Sequence, residues 1–147
     1  AQPIPIVCDM TDAPDTTDER LATYHRLFAE LTGRERTTTG IRFRFTTRPG
    51  LAQEIRDLAA LEKACCAFFD FDIREHGDEI TWDASVVDDP IARQILDEYY
   101  ALPDTLDGSV TELFDRFAQH GLEIVIDDNG ITRPATDADL GIPTTRD

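Results

Sequence analysis

Residues 68–86, FFDFDIREHGDEITWDASV, hold two runs of alternating polarity separated by a short polar turn. Phe69, Phe71 and Ile73 share one parity, as do Ile80, Trp82, Ala84 and Val86. Successive side chains of a strand point to opposite faces, so each run predicts a strand with one apolar side. His76-Gly77-Asp78 makes a hairpin the shortest connection between them. A third run, GIRFRF, sets Ile41, Phe43 and Phe45 against Arg42 and Arg44 and ends at Pro49-Gly50. Strands with one apolar side need a cover on that side, and amphipathic helices supply it.

The helices are legible from caps and stripes. Thr16 and Glu19 fit a capping box, Leu21, Tyr24, Leu27, Phe28 and Leu31 form a stripe, and Gly33 is expected to end it. A second helix is predicted from about Leu51 to Cys66. Asp89-Pro90 opens a third, carrying Ile91, Ile95, Leu96 and Tyr99, before LPDTLDG reads as a linker. Ser109 and Glu112 fit a second capping box, and Val110, Leu113, Phe114 and Phe117 follow until Gly121. LEIVIDDNGITRP reads as a short hairpin, and the last dozen residues as a flexible tail. At the start, PIPIVCDM puts Ile4, Ile6 and Cys8 on one face of an edge strand, since proline cannot donate to a central ladder. The order β-α-β-α-β-β-α, then α-β-β, predicts an α+β fold: a mostly antiparallel sheet with helices packed on one face. Residues 1–106 form that core, and residues 107–147 a helix and hairpin arm that packs on its own chain or across a homodimer.

Charge narrows the function classes. Thirty acidic residues against 14 basic leave a formal charge of −16, which repels nucleic-acid backbones and anionic membrane surfaces. Neither is expected as a partner. No apolar run approaches the ~20 residues of a membrane span, and no signal-peptide pattern opens the chain. Three cysteines are an odd count and make no secreted disulfide framework. The expectation is a reducing cytoplasm, with thiols available for metal or redox chemistry.

Two of those cysteines are neighbours in ALEKACCAFFDFDI, residues 60–73. With Leu58 at zero and about 100° per residue, Leu51, Ile55, Leu61 and Cys65 fall within about 60° of it. Glu62 falls at about 40°, inside that stripe, and Cys66 at about 80°, at its edge. A carboxylate on an apolar face needs a partner, a proton or a cation. Either Glu62 bends out to an arginine such as Arg42 or Arg44, or it stands beside two thiols as a functional acid. The cysteines have their own bland reading, because free cysteine is among the most buried residue types. Neighbouring helical side chains diverge by about 100°, so Cys65 and Cys66 share an ion only where the helix ends. If the first strand meets that end, Cys8, Cys65 and Cys66 make a three-thiol site for a soft ion: Hg, As, Cu or Zn. There is no C-x-x-C, and His25, His76 and His120 stand at no ligand spacing from a cysteine.

The stretch ACCAFFDF, residues 64–71, resembles a group of small bacterial proteins of actinobacterial type that carry a CC-x-F-x-x-F motif. PIVCDMTDAP and DASVVDDPIARQILDEYYALP are similar to the same group, so the resemblance spans roughly residues 3–103. Such proteins often occur near mercury- or metal-resistance functions, which implies soft-metal handling and detoxification. Organomercurial lyase offers an analogy of chemistry: two cysteines hold mercury and an aspartate protonates the leaving carbon. Here Cys8, Cys65 or Cys66 with Glu62, Asp70 or Asp9 would supply those groups.

The leading expectation is a soft-metal site from Cys8, Cys65 and Cys66 supported by Glu62, with the ion or a small thiol-reactive molecule as partner. The alternative is a thiol-dependent enzyme in which Cys65 or Cys66 acts and Glu62 or Asp70 donates a proton. A third reading is a small-molecule pocket lined by Phe68, Phe69, Phe71 and Trp82, with the cysteines as packing.

Overall fold

The alternating runs form strands in the computed structural model, which describes residues 6–106, 108–136 and 139. Strands β2 (Gly40–Thr46), β3 (Phe69–His76) and β4 (Glu79–Val86) follow β1 (Leu31–Arg36) in an antiparallel sheet of order β1-β2-β4-β3. Helices α1 (Thr17–Phe28), α2 (Leu51–Cys65), α3 (Pro90–Thr105) and α4 (Val110–Gln119) and a small β5 (Ile124–Ile126) and β6 (Thr132–Pro134) hairpin complete the α+β fold. Register places Phe43 opposite Trp82, Ile41 opposite Ala84 and Phe45 opposite Ile80. All six are buried. A fully buried side chain of this kind contributes on the order of 1.5–3 kcal/mol relative to exposure. Tyr24 and Phe28 of α1 and Tyr99 of α3 lie on this apolar face, each within 6.3 Å of the Trp82 ring centre.

Two glycines are dictated by geometry. Gly77 closes the β3–β4 turn with φ +64°, a region that costs a side chain strain. At Gly40 a Cβ would stand 2.0 Å from the Ala84 carbonyl oxygen, so the β2–β4 contact admits no side chain there.

Three sequence expectations are corrected. Gly33 does not end α1. The helix stops at Phe28, and Leu31, assigned to its stripe, begins β1. LTGRER hides a strand because it lies on the sheet edge and carries charge in place of alternation. Arg36 pairs with Asp97 at 2.7 Å, Glu35 accepts from Arg44, and the Arg34 and Arg36 guanidinia sit over the Tyr100 ring. Next, residues 6–10 are not a strand, and Ile4 lies outside the described residues. Their amides bond to two different elements, Asp9 N to Cys65 O (3.1 Å) and Met10 N to Thr132 O (2.7 Å), so no single ladder forms. Finally, the expected linker begins late, because α3 continues through Pro103 to Thr105. Leu102 is in phase with Tyr99 and Ile95 and is buried, while Pro103 near the helix end removes one amide only.

The capping box at Thr16 forms in both directions, and Ser109 caps α4 by accepting from Glu112 N. The C-terminal elements fold back on the rest: Thr17 N donates to Gly130 O (2.9 Å), and the Thr17 and Thr132 hydroxyls meet at 2.6 Å. Of the last dozen residues, only Thr136 and Asp139 are among those described. No helix among the described residues is long and apolar enough to cross a membrane.

Candidate functional site: a buried arginine, a carboxyl and a thiol pair

Helix α1 turns one charged residue into the interior. With Leu27 at zero, Arg20 falls at about 20°, between Leu27 and Tyr24, which falls at about 60°. Its side chain is 4% exposed. Two carboxylates make that burial tolerable. Asp15 accepts from Nε (2.7 Å) and Nη2 (2.8 Å) in a fork, and Glu62 accepts from Nη1 at 2.5 Å. The Arg20 hydrogen bond holds Asp15 below the usual carboxylate range.

Glu62 is where the α2 phase puts it, inward, with its side chain 14% exposed. Burial raises its pKa, and the Arg20 charge and hydrogen bond oppose that rise without cancelling it. The arginines expected as partners are elsewhere. Arg42 forks onto Asp83 (2.7 and 2.9 Å) and Arg44 bonds Glu79 (2.6 Å) and Glu35, all on the outer face of the sheet. Arg20 was missed, although its spacing of four from Tyr24 and seven from Leu27 marks it as inward-facing.

Helix α2 ends at Cys65, and Cys66 leaves it with φ −124° and ψ 74°. That break sends the neighbouring thiols in separate directions. Cys65 Sγ accepts from Arg20 Nη2 at 3.6 Å. Cys66 is brought near Cys8 by the Asp9 N to Cys65 O bond (3.1 Å) one residue away. Burial raises the Cys65 pKa against the pull of Arg20. Interaction with Cys8, then burial, pushes Cys66 well above its ordinary value. All three cysteines are free thiols, with Cys8 half-buried and the other two buried. Among the described residues, no group of three or more His, Cys, Asp or Glu side chains is gathered as a metal cage. Of the three expected thiols, Cys65 is turned to Arg20, and Cys66 stands near Cys8.

These groups line a cavity of about 90 Å³. Cys8, Cys66, Glu62 and Tyr24 form part of its wall, and Leu113, Phe114 and Phe117 of α4 supply another. Tyr24 and Tyr99 share a short O···O contact of 2.5 Å beside it. Comparison with protein-family models, with curated proteins and with solved structures gives no match to this chain.

Several expected residues are not in it. Asp70 is on the surface, its side chain 80% exposed and paired with Lys63 at 3.3 Å, so it faces no thiol. β3 alternates, and Asp70 has the parity opposite to Phe69 and Phe71. Asp9 is exposed and turns back to accept from Thr11 N at 2.9 Å. Phe68, Phe69, Phe71 and Trp82 do not line the cavity. Phe69, Phe71 and Trp82 fill the sheet core in ring contacts with Tyr99, and Phe68 packs on Phe69.

Proposed function

We propose that this chain binds a soft metal ion through the Cys8 and Cys66 thiols, with Cys65 as a further donor, as a cytoplasmic detoxification protein of the CC-x-F-x-x-F group. The observation that carries this reading is that Cys8 and Cys66 line one cavity, with their segments joined one residue away by the Asp9 N to Cys65 O bond. An ion replacing the thiol protons would meet two neighbouring sulfurs in a cavity that Leu113, Phe114 and Phe117 also line. Two thiolates suffice for Hg(II) or Cu(I), which accept two-coordinate binding, whereas zinc requires four ligands. As(III) needs a third thiolate, and Cys65 would have to leave Arg20 to provide it.

Native mass spectrometry of the reduced protein with Hg(II), against an excess of a small monothiol, tests this. About one ion per chain is expected, as two converging thiolates out-compete separate ones. Cys8→Ser and Cys66→Ser should abolish retention, Cys65→Ser should weaken it, and Glu62→Gln should leave it intact. Retention in all three cysteine variants would return the thiols to plain packing.

A second reading rests on a separate observation, the raised pKa of Glu62 in the same cavity wall. A carboxyl that keeps its proton longer than usual beside a thiol pair suits a carbon–metal lyase. The proton of Glu62 would pass to the carbon as the carbon–metal bond breaks, and the metal would stay on the thiolates. In that case Glu62→Gln keeps the metal and loses hydrocarbon release.

A further inference from the structure

We propose that Cys8 and Cys66 are a peroxide-reactive dithiol, in which Cys8 takes the oxygen and Cys66 resolves it as an intramolecular disulfide. Neither metal binding nor any lyase step is needed for this. Three observations converge on it. Both residues line the same cavity. Their segments are clamped one residue away by the Asp9 N to Cys65 O bond, so the pair is held together in the reduced protein. And the two sulfurs differ in access, Cys8 being half-buried and Cys66 5% exposed, which separates an attacked thiol from a resolving one.

The cavity admits a small oxidant. At about 90 Å³ it has room for small, water-sized molecules. Hydrogen peroxide, little larger than water, fits that space. In the first step the Cys8 sulfur attacks peroxide, the O–O bond breaks, and an S–O bond forms. The thiol proton leaves with the second oxygen as water. In the second step the Cys66 sulfur attacks the Cys8 sulfur, forming S–S and breaking S–O. The departing hydroxyl takes the Cys66 proton and leaves as a second water. One peroxide is reduced and two thiols are oxidised.

Cys65 takes no part, although it is the chain neighbour of Cys66. Its sulfur is committed to Arg20, and a disulfide between adjacent residues is strained.

The test uses metal-free, reduced protein, so its failure is separable from failure of the metal reading. The protein is treated with equimolar hydrogen peroxide, quenched with an alkylating reagent, and analysed by intact mass and peptide mapping. A loss of about 2 Da is expected, with a Cys8–Cys66 cross-link and alkylation confined to Cys65. Cys65→Ser should give the same cross-link. Cys66→Ser should leave a Cys8 sulfenic acid that dimedone captures. Cys8→Ser changes a half-buried side chain, so its circular dichroism should match the wild type while the cross-link is lost. A Cys65–Cys66 bridge, a bridge between chains, or no oxidation at Cys8 would each overturn the proposal.

Discussion

Two arginine–carboxylate forks lie on opposite sides of the same sheet, and they differ in their surroundings rather than their geometry. On the outer face Arg42 grips Asp83 at 2.7 and 2.9 Å, with each side chain 32% exposed. Beneath the helices Arg20 grips Asp15 at 2.7 and 2.8 Å and reaches Glu62, with its own side chain 4% exposed. Water screens the outer pair and replaces either partner when one is lost. The inner arginine has no such substitute, and losing it strands two carboxylates. The inner cluster is also the one that touches a thiol and lines the cavity. Burial, then, turns the same ion pair from a surface decoration into part of a site.

The largest effect should come from Arg20→Met. Urea unfolding should show a loss of about 3–5 kcal/mol, because Asp15 and Glu62 would be left in the interior without their cation. A loss below about 1 kcal/mol, the range of exposed pairs, would mean that the inner fork behaves like the outer one. Tyr99→Phe comes next. It removes the hydroxyl that meets Tyr24 at 2.5 Å, and leaving that buried partner unsatisfied should cost about 1–3 kcal/mol.

Glu62→Gln tests the inner cluster by sign. The Glu62 pKa is raised in the fold by burial, so the native state binds its proton more tightly than the unfolded chain does. That contribution is complete below the unfolded value of about 4.3 and is lost as pH rises through the folded value. Stability measured against pH should therefore show the variant gaining on the wild type as pH rises from about 4. Asp15 has the opposite sign. Its pKa is lowered by Arg20, so its contribution is present above the unfolded value of about 3.9 and lost as pH falls through the folded one. Asp15→Asn should gain on the wild type only in acid.

The smallest effect belongs to the outer fork. A double-mutant cycle of Arg42→Ala and Asp83→Ala should give a coupling of about 0.2–1 kcal/mol. At 1 M salt, where the screening length is about 3 Å, that coupling should shrink. The inner fork should keep most of its coupling under the same conditions, since buried pairs are screened far less.

What could be read without the structure was whatever a local period carries. The alternations of Phe43, Phe71 and Trp82 declared three strands and their buried face, because a strand repeats every two residues. The phase of α2 turned Glu62 inward, and Thr16 with Glu19 marked where α1 begins, because caps and stripes act over three or four residues. Strand β1 escaped because an edge strand can carry charge on both faces, and its pairing with β2 leaves no period to read. Tertiary structure alone decided which inward groups meet. Period placed Glu62 inside but could not say that its partner was Arg20, 42 residues earlier in the chain. It could not show that Cys66 would share a cavity with Cys8 while Cys65 turns to Arg20, an arrangement made by the end of a helix and by an amide from the N-terminal segment. Nor did it place α4 against the cavity. A local pattern records which way a side chain faces, while its partner is chosen by the packing of elements far apart in sequence.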